Sequence, residues 1–545
     1  MVGLFLKNGN VIDVVRKTIR CRDFWVESGK ITFIRPKEKP LKTINLNGSY
    51  VSAGFIDGHI HIESSMLPPL EFAYEAVKHG TTSVFADPRK LVNGFGEKGI
   101  QLFLDQADIV PFTMNIAVPA RVSVPAVEEF LKNEKVYGLA EVMDFAGVIS
   151  GKGDVRKKVR LALESGKIVD GHCPAISGED LKKYISNGEP DRKIRIGSDH
   201  ESVNYYEALE KWENGMYVMM RHGSFAKDFE NIFPEICGNN LCFNEFGIVS
   251  DELSAEDLRR NGHVNYVVDM AIEIIRKEKK YSLVKAAIEA ISLATINHAR
   301  HFRQNTGRIE EGAVADIIAF NSLEKIMPHL VISRGRIVVE KYKHTKEKPA
   351  YDYKKYRNPL NLTNSLAKDF VVTSNKKKQM VRVIDVSKGD SRGNEVLVEL
   401  SVKEKLVRLE PERGILKMAA RESRDGAGNM TVGFIKGINL ENGAIAATTA
   451  NDNNSLVVTG TNETSMIRAV EKIRQMGGGI AVVSNGRSEA LPLSVGGIMS
   501  PADINSFLRN YKRLLHLINA RGVKSDPIPT LLGINLPKNP FHSPS

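Results

Sequence analysis

The first fifty residues alternate short apolar runs with turn-forming residues. The turns stand at Asn8-Gly9-Asn10 and Ser28-Gly29-Lys30. Alternation bounded by glycine and asparagine predicts short strands joined by tight turns. The same texture returns late in the chain around Arg334-Gly335-Arg336. We therefore predict one composite small β domain, made of residues 1–50 and 306–345 and closed around the segment between them.

Between residues 51 and 305 the pattern changes to an apolar strand, a polar strand end and an amphipathic helix, and this unit repeats. The eight candidate strands are residues 55–61, 82–87, 112–118, 138–144, 168–172, 194–200, 216–221 and 241–251. Helical patterns lie between them, for example at residues 155–164 and 205–213. Eight such units over about 250 residues are typical of a closed parallel barrel. We predict the α/β class, with a (β/α)8 barrel of the metal-dependent hydrolase type at 51–305.

The chain beyond the composite domain divides into three further parts. Residues 346–368 combine lysines with prolines and polar residues, which predicts a basic linker. Residues 369–525 mix the two periodicities and predict a C-terminal α+β domain. Its strands are expected at 380–386, 395–402, 444–448 and 456–459, and its helices at 463–476 and 501–519. The proline-rich residues 526–545 predict a tail.

Composition narrows the class of protein. Apolar residues make up 42% of the 545 residues and charged residues 26%, which excludes disordered and fibrous classes. Many of the lysines behind the net charge of +11 lie between Lys341 and Lys378, so we interpret them as a solvated linker rather than a nucleic-acid surface. Four irregularly spaced cysteines favour a reducing compartment, and neither a signal peptide nor a membrane-spanning run is evident. We expect a cytoplasmic protein that binds neither nucleic acid nor membrane.

Residues with metal-binding chemistry stand at the carboxyl ends of the predicted strands, which meet at one mouth of a parallel barrel. The first strand ends in His59-Ile60-His61. Side chains at positions i and i+2 of a strand face the same way, so both imidazoles can share one metal ion. The other strand ends carry Glu141 and Asp144, Asp170 and His172, Asp199, His200 and Glu201, and Asp251 and Glu252.

Histidine and carboxylate ligands without a thiolate cluster favour a divalent ion such as zinc, manganese or iron. Two ions bridged by Glu141 would account for the number of candidate ligands, and Asp251 would hold the attacking water. A metal pair makes water nucleophilic near neutral pH. The strand ends therefore predict hydrolysis or hydrolytic deamination.

Several segments resemble those of bacterial adenine deaminases, which belong to the amidohydrolase superfamily. They are residues 54–66 (GFIDGHIHIESSM), 139–143 (LAEVM), 170–172 (DGH), 177–178 (SG), 198–201 (SDHE), 215–219 (GMYVM), 294–297 (ATIN), 431–437 (TVGFIKG) and 477–480 (GGGI). The resemblance runs from about residue 50 into the last domain, whereas a barrel and an H-x-H pair alone would indicate only the superfamily.

The resemblance implies hydrolysis of adenine, a purine base, to hypoxanthine and ammonia in purine salvage. It implies a binuclear centre held by His59, His61, Glu141, His172, His200 and Asp251, with Mn²⁺ as the first candidate and Fe²⁺ or Zn²⁺ as the others. Asp251 would be the catalytic base, assisted by Glu201 or Glu252. Glu201 could instead orient His200, and Glu252 could be a charge at a helix N-terminus. We also expect a homo-oligomer.

The chain departs from the family pattern in three places. In the last domain, where the family tends to carry histidines, it has Glu422-Ser423 and Asn451-Asp452-Asn453. Asp87-Pro88-Arg89-Lys90 stands where the family carries Asp-Pro-His-Glu, and Leu253-Ser254 replaces an Arg-His pair. Two cations at the mouth favour an anionic substituent on the substrate, unless they are solvated loop residues. The alternatives are an amidohydrolase acting on another aminopurine, a pterin or a cyclic amide, and a non-catalytic homologue.

Overall fold

The computed structural model describes residues 2–37, 39–189, 195–357, 367–387, 393–421, 430–451, 454–485, 487–520, 522–523, 526–533, 536 and 541. The chain forms two compact units. Unit 1 contains Met1–Ser65, Pro69–Arg89 and Ile100–Ala350, and unit 2 contains Met66–Pro68, Lys90–Gly99 and Tyr351–Ser545. Within the described part, no helix is long and apolar enough to cross a lipid bilayer.

The strands up to residue 344 are β1 (Val2–Asp13), β2 (Thr18–Glu27), β3 (Lys30–Thr32), β4 (Lys42–Asn45), β5 (Tyr50–Ala53), β6 (Phe55–Ile60), β7 (Thr81–Ala86), β8 (Thr113–Val118), β9 (Val136–Val142), β10 (Ile168–Gly171), β11 (Ser198–Asp199), β12 (Tyr217–Arg221), β13 (Phe246–Val249), β14 (Ile317–Phe320), β15 (Leu330–Ser333), β16 (Arg336–Glu340) and β17 (Lys343–His344).

The helices over the same range are α1 (Pro69–Ala76), α2 (Arg89–Phe95), α3 (Glu97–Gln106), α4 (Val124–Leu131), α5 (Phe145–Ser150), α6 (Val155–Glu164), α7 (Gly178–Ile185), α8 (Tyr205–Glu213), α9 (Phe229–Gly238), α10 (Ala255–Arg260), α11 (Val264–Lys279), α12 (Leu283–Leu293) and α13 (Ile296–His301). Short polar side chains begin several of them. Asn204 accepts a hydrogen bond from the Glu207 N–H at the start of α8, and Ser254 caps α10 in the same way.

One sheet of unit 1 is built from both ends of its sequence. Its strand order is β17-β16-β15-β14-β5-β1-β2-β3, with β4 paired to β1. β5 and β14 run antiparallel, with Ala53 opposite Ile317. Leu6, Phe24 and Val51 pack into its buried core. Strands that precede and follow the long middle segment therefore lie side by side in one sheet.

The middle segment forms two parallel sheets. One has the order β10-β9-β8-β7-β6 and the other β11-β12-β13. Every described residue of β6 and β7 is buried, as is typical of parallel strands covered on both faces. Aromatic side chains fill the interior of this segment. The rings of Phe85 and Phe302 stack at 3.6 Å, and Tyr137 packs edge-on against both.

Two of the predicted strands are shorter than expected by several residues. The strand predicted at residues 241–251 spans only β13, because Asn297 donates hydrogen bonds to the main-chain oxygens of Phe243 and Phe246 and the chain turns there. The strand predicted at 194–200 is reduced to β11. The N–H groups of Arg195 and Ile196 both donate to the carbonyl of Ile185 at the end of α7. Residue 194 lies outside the described residues.

Unit 2 contains β18 (Lys378–Asp385), β19 (Asn394–Lys403), β20 (Leu406–Val407), β21 (Ile415–Arg421), β22 (Met430–Lys436), β23 (Ala444–Asn451), β24 (Asn454–Gly460), β25 (Gly479–Ser484), β26 (Arg487–Pro492), α14 (Glu463–Met476), α15 (Ile504–Asn519) and α16 (Ile528–Gly533). The strands form one sheet of order β20-β19-β18-β22-β21-β24-β23-β25-β26. Met466, Ala469 and Ile473 of α14 pack in a buried core with alanine and valine side chains of the sheet.

The sequence patterns found four of these strands and missed others, among them β21 and β25. The predicted tail begins with helix α16, because Ile528 and Leu531 are fully buried and fix it in place. Most of the later tail, and residues 358–366 of the predicted linker, lie outside the described residues. The domain boundaries drawn from the sequence stay a prediction.

Candidate metal centre

The two histidines of the H-x-H pair meet at the end of β6. Their Nε2 atoms lie 3.4 Å apart, and both side chains are buried. The main chain fixes this strand end against the end of β13, since the His61 N–H donates to the Asp251 carbonyl (2.7 Å) and the Asp251 N–H donates to the His59 carbonyl (3.0 Å). The alternation of strand side chains places both imidazoles on one side, as the spacing predicts.

Glu141, on β9, joins the pair to two further histidines. Its Oε1 lies 2.7 Å from Nε2 of His61 and 3.0 Å from Nε2 of His59. Its Oε2 lies 3.2 Å from Nδ1 of His172, just beyond β10. His200, just beyond β11, stacks on His59 at 3.9 Å and brings its Nε2 to 3.5 Å from Oε1 of Glu141. One carboxylate is therefore shared by two groups of candidate ligands.

The first group consists of His59, His61, Glu141 and Asp251. The second consists of Glu141, His172 and His200. Nitrogen and oxygen ligands lie about 2.1 Å from a divalent ion, so two ligands of one ion are at most about 4.2 Å apart. Oδ1 of Asp251 lies 3.7 Å from Nε2 of both His59 and His61, and the separations around Glu141 are shorter still. The residues present fit a pair of metal ions.

Unsatisfied polar atoms in the same place support this fit. Both ring nitrogens of His200 and Oε2 of Glu141 are buried without a hydrogen-bond partner among the described residues. Burial and the neighbouring His59 lower the pKa of His200 to about 4, which leaves its imidazole neutral near pH 7. Burial acts to raise the pKa of Glu141, but Arg89 and His61 outweigh it and hold that pKa well below its usual range. A neutral imidazole beside an ionised carboxylate is a donor set for a cation.

Asp251 closes the centre in an unusual backbone conformation. Its φ is +54°, in the left-handed region that few residues other than glycine adopt and that aspartate tolerates better than most. Asp251 lies two residues beyond β13, and its carboxylate faces the histidines. Backbone strain of this kind concentrates at functional sites.

The two assisting carboxylates lie differently. Glu201 forms an ion pair with Arg221, and its Oε1 lies 3.5 Å from Nδ1 of His172. Glu252 follows Asp251 and is half-buried, and its main-chain oxygen accepts a hydrogen bond from the Ser224 N–H (2.8 Å). In the described part of the chain, neither residue belongs to either group of ligand atoms.

Two other strand-end carboxylates serve the fold. Asp144 accepts a hydrogen bond from the Gly147 N–H (2.8 Å) and caps α5. Asp170 accepts hydrogen bonds from the hydroxyls of Tyr137 and Ser198. Both have local partners that satisfy them, which explains their presence without a metal ion.

Neighbouring groups orient the ligand imidazoles. The main-chain oxygen of Asp87 lies 3.0 Å from Nδ1 of His61 and accepts a hydrogen bond from its N–H, which leaves Nε2 to face Glu141. Asp57 accepts a hydrogen bond from the His59 N–H (3.3 Å) and another from the Ser250 N–H (3.2 Å). These contacts hold the ends of β6 and β13 in fixed relation.

Two arginines also reach the centre. Arg89 places Nε 3.6 Å from Oε2 of Glu141 and Nη2 3.4 Å from Nε2 of His61. Arg221 contacts Glu201 and, at 3.4 Å, Oδ2 of Asp251. In the sequence, Arg89 stands out only as a departure from a family pattern, and Arg221 does not stand out. The one available signal was the position of Arg221 at the end of the seventh strand.

Parallel strands whose ends gather histidines around a shared carboxylate define a metal-dependent hydrolase of the amidohydrolase class. Residues 50–338 match the Amidohydrolase family, and residues 392–542 match the adenine deaminase C-terminal domain. A solved structure, a β-aspartyl dipeptidase from Fervidobacterium islandicum AW-1, aligns over 65% of this chain and 100% of its own, with 18% identity and a TM-score of 0.48.

Sequence relatives narrow the class further. An adenine deaminase of Staphylothermus marinus is 36% identical over 504 residues, which cover 87% of this chain and 80% of that relative. Adenine deaminase 2 of Carboxydothermus hydrogenoformans is 32% identical over 555 residues, or 98% of this chain and 93% of the relative. The chain belongs to the adenine deaminase family, which confirms the resemblance seen in its sequence.

Proposed function

We propose that this chain is an adenine deaminase, which hydrolyses adenine to hypoxanthine and ammonia at a two-metal centre. The observation that carries the proposal is the shared Glu141, whose carboxylate oxygens lie within 3.2 Å of His59, His61 and His172. The match of residues 392–542 to the adenine deaminase C-terminal domain supports adenine over other amidohydrolase substrates.

The ligands in this proposal are those of the two groups, His59, His61, Glu141, His172, His200 and Asp251. Mn²⁺ is the first candidate and Fe²⁺ or Zn²⁺ are the others, since imidazole and carboxylate together suit all three. When bound, such ions supply a water that is nucleophilic near neutral pH. Everything else in the reaction falls to the side chains of this protein.

Asp251 is the proposed catalytic base. Its Oδ1 faces both His59 and His61, so a water held at the centre lies within its reach. It would accept the proton of the attacking water as C6 of adenine is attacked. It would deliver that proton to N1. It would then accept the remaining proton from the hydroxyl now on C6 and pass it to the amine, so that the C6–N bond breaks, ammonia departs and the C6 carbonyl of hypoxanthine forms.

Glu201 is proposed to assist this proton transfer, or to orient the histidines it faces. Its closeness to His172 (3.5 Å) and His200 (3.7 Å) supports both roles. Glu252 stays a weaker candidate catalytic carboxylate. Its alternative role, a negative charge before helix α10, is supported by its position three residues ahead of Ala255.

We also propose that the two parallel sheets of unit 1 complete a closed (β/α)8 barrel. A parallel bridge between Ile60 and Asp251 supports closure on one side. On the other side, the Gly197 N–H donates to the Val169 carbonyl at 3.1 Å. Closure would bring all eight strand ends to one mouth.

A cytoplasmic homo-oligomer acting in purine salvage, without nucleic-acid or membrane partners, is part of the same proposal. The four cysteines of the chain carry free thiols, as is typical of proteins in a reducing compartment. Light scattering on the purified protein measures the oligomeric state directly.

Arg89 supports a second candidate function. A guanidinium 3.6 Å from Glu141 would favour a substrate that carries an anionic substituent. Such a substrate could be another aminopurine, a pterin or a cyclic amide. The same ligand residues would hold the metal ions that supply a nucleophilic water for its hydrolysis.

The decisive experiment combines metal analysis with an assay of ammonia release. Protein from manganese-supplemented cells should contain close to two metal ions per chain and release ammonia from adenine. Ring opening or ammonia release from other purines, pterins or cyclic amides, without activity on adenine, would favour the second candidate. Absence of bound metal would point to a non-catalytic homologue.

A further inference from the structure

Arg221 stands at the end of β12, where its backbone is fixed against β13. It lies opposite Val249 of β13, and the next N–H, that of His222, donates to the Val249 carbonyl (2.9 Å). Its side chain is only 12% exposed. The guanidinium is therefore mounted on a rigid strand and extends into the region of the metal centre.

The guanidinium contacts three carboxylates. Nε pairs with Asp228, at the start of α9, and Nη1 contacts both Glu201 and Oδ2 of Asp251. Because the fork of an arginine is planar and rigid, the pairing with Asp228 fixes the direction of Nη1. The position of Nη1 between Glu201 and Asp251 is thus set from outside the centre.

This arrangement gives the two oxygens of Asp251 different surroundings. Oδ1 lies 3.7 Å from Nε2 of both His59 and His61, whereas Oδ2 lies 3.4 Å from Nη1 of Arg221. A carboxylate with one oxygen held by a cation cannot rotate freely. Oδ1 is therefore the oxygen directed at the proposed metal ligands.

Glu201 contacts the same nitrogen, Nη1 of Arg221. It is drawn toward Arg221 while its Oε1 stays 3.5 Å from Nδ1 of His172. Without the guanidinium, the two carboxylates would face each other with no cation between them and would repel each other. Lysine offers a point charge in place of a fork and could not hold both in this geometry.

We infer that Arg221 is a positioning residue of the reaction. It directs one oxygen of Asp251 at the metal ions and the attacking water, and it keeps Glu201 at the His172 side of the centre. The inference rests on the proposed function in taking Asp251 as the base. It adds that Asp251 depends on Arg221 for its orientation.

The test compares R221M and R221K with the matched control R308M, which removes another arginine that pairs with a carboxylate, Glu310, away from the centre. Loss of a residue that orients a ligand typically costs about 10- to 100-fold in activity. We expect that loss in kcat for R221M, with KM changed less than about threefold, two metal ions retained and partial recovery on adding guanidinium chloride at non-denaturing concentration. The kcat of R221K should be lower than that of R221M with added guanidinium. The kcat of R308M should match that of the unaltered protein.

A crystal structure of manganese-loaded R221M supplies a readout that does not depend on turnover. We expect the Asp251 carboxylate to be rotated relative to the unaltered holoenzyme while the histidines stay in place. An unchanged kcat with an unchanged Asp251 orientation would overturn the inference. So would a loss of both metal and activity that guanidinium does not restore, because that indicates a purely structural role. If the unaltered protein releases no ammonia from adenine, the proposed function fails, and the Asp251 orientation still decides the role of Arg221.

Discussion

Oδ2 of Asp57 lies 2.9 Å from Nε2 of His263, and neither side chain is exposed to solvent. The other ring nitrogen of His263 lies 2.7 Å from the hydroxyl of Thr81, and Asp57 also accepts hydrogen bonds from Ser250. Burial acts to raise the pKa of Asp57, but His263 and Ser250 outweigh it and lower that pKa. These contacts join β6, the chain after β13 and the start of α11, directly beside the proposed metal ligands.

Removing Asp57 should therefore destabilise the protein strongly. We expect D57A to lower the free energy of unfolding by about 3–5 kcal/mol, because it leaves buried donors without an acceptor. Urea denaturation measures this loss. The matched control is D108A, which breaks an exposed ion pair with Lys135 and should cost at most about 1 kcal/mol. Equal losses in the two variants would contradict this account.

Removing either histidine of the H-x-H pair should abolish metal binding and activity together. H59A and H61A each delete a nitrogen within 3.0 Å of Glu141. Metal analysis should show reduced metal content, with ammonia release down by at least about 100-fold. The control H344A alters a half-buried histidine outside the ligand groups and should change neither quantity. Full activity in H59A or H61A would exclude the proposed centre.

His298 should make the protein acid-sensitive. Its Nε2–H donates to the Ile248 carbonyl (2.9 Å) while Nδ1 accepts from the Tyr217 hydroxyl (3.1 Å), so the ring is held neutral. Burial lowers its pKa from 6.5 to about 4. His298 therefore binds a proton more tightly in the unfolded chain than in the folded protein. The stabilisation is complete above pH 6.5 and is lost as pH falls toward 4, by about 3 kcal/mol.

H298Q tests this pH dependence, because an amide can donate and accept in place of the imidazole without titrating. The unfolding free energy of H298Q should fall less between pH 6.5 and 4 than that of the unaltered protein. If both proteins lose the same amount, His298 is not the source of the acid sensitivity.

Gly58 lies between Asp57 and His59 because a larger residue would collide with the interior. A Cβ at this position would lie 2.4 Å from Nδ1 of His298 and 3.2 Å from the sulfur of Met219. G58A should cost about 1–3 kcal/mol in unfolding free energy and lower metal content by displacing His59. Calorimetry and metal analysis measure both effects. G238A is the control, since a Cβ there meets no atom within 4 Å.

Arg89 should determine how well the centre accepts anions. We expect R89Q to weaken inhibition by purine-6-carboxylate by about 10-fold or more, since a hydrogen bond to a charged group contributes about 1.5–3 kcal/mol. The KM for adenine, which is neutral, should change less. Competition kinetics measure both constants, with R308Q as the matched control. Unaltered inhibition in R89Q would indicate that Arg89 serves Glu141 alone.

The sequence could predict candidate ligands that the structure brings together, but not the residues that support them. His59, His61 and Glu141 follow from strand periodicity, because the ends of parallel strands meet. The pairing of Asp57 with His263 and of Arg221 with Asp251 depends on side-chain packing between distant segments, which no local pattern encodes. The strand predicted at 194–200 was too long for a different reason, since the N–H groups of Arg195 and Ile196 donate to the carbonyl of Ile185 at the end of α7.

The pairing of β5 with β14 has a consequence for synthesis. The edge of β5 that pairs with β14 has no partner until Ile317 has been added, about 260 residues after Ala53. At typical translation rates this interval is on the order of tens of seconds. During that time the N-terminal strands present an open hydrogen-bonding edge on the growing chain, a site where chaperones could bind and where premature association between nascent chains could begin.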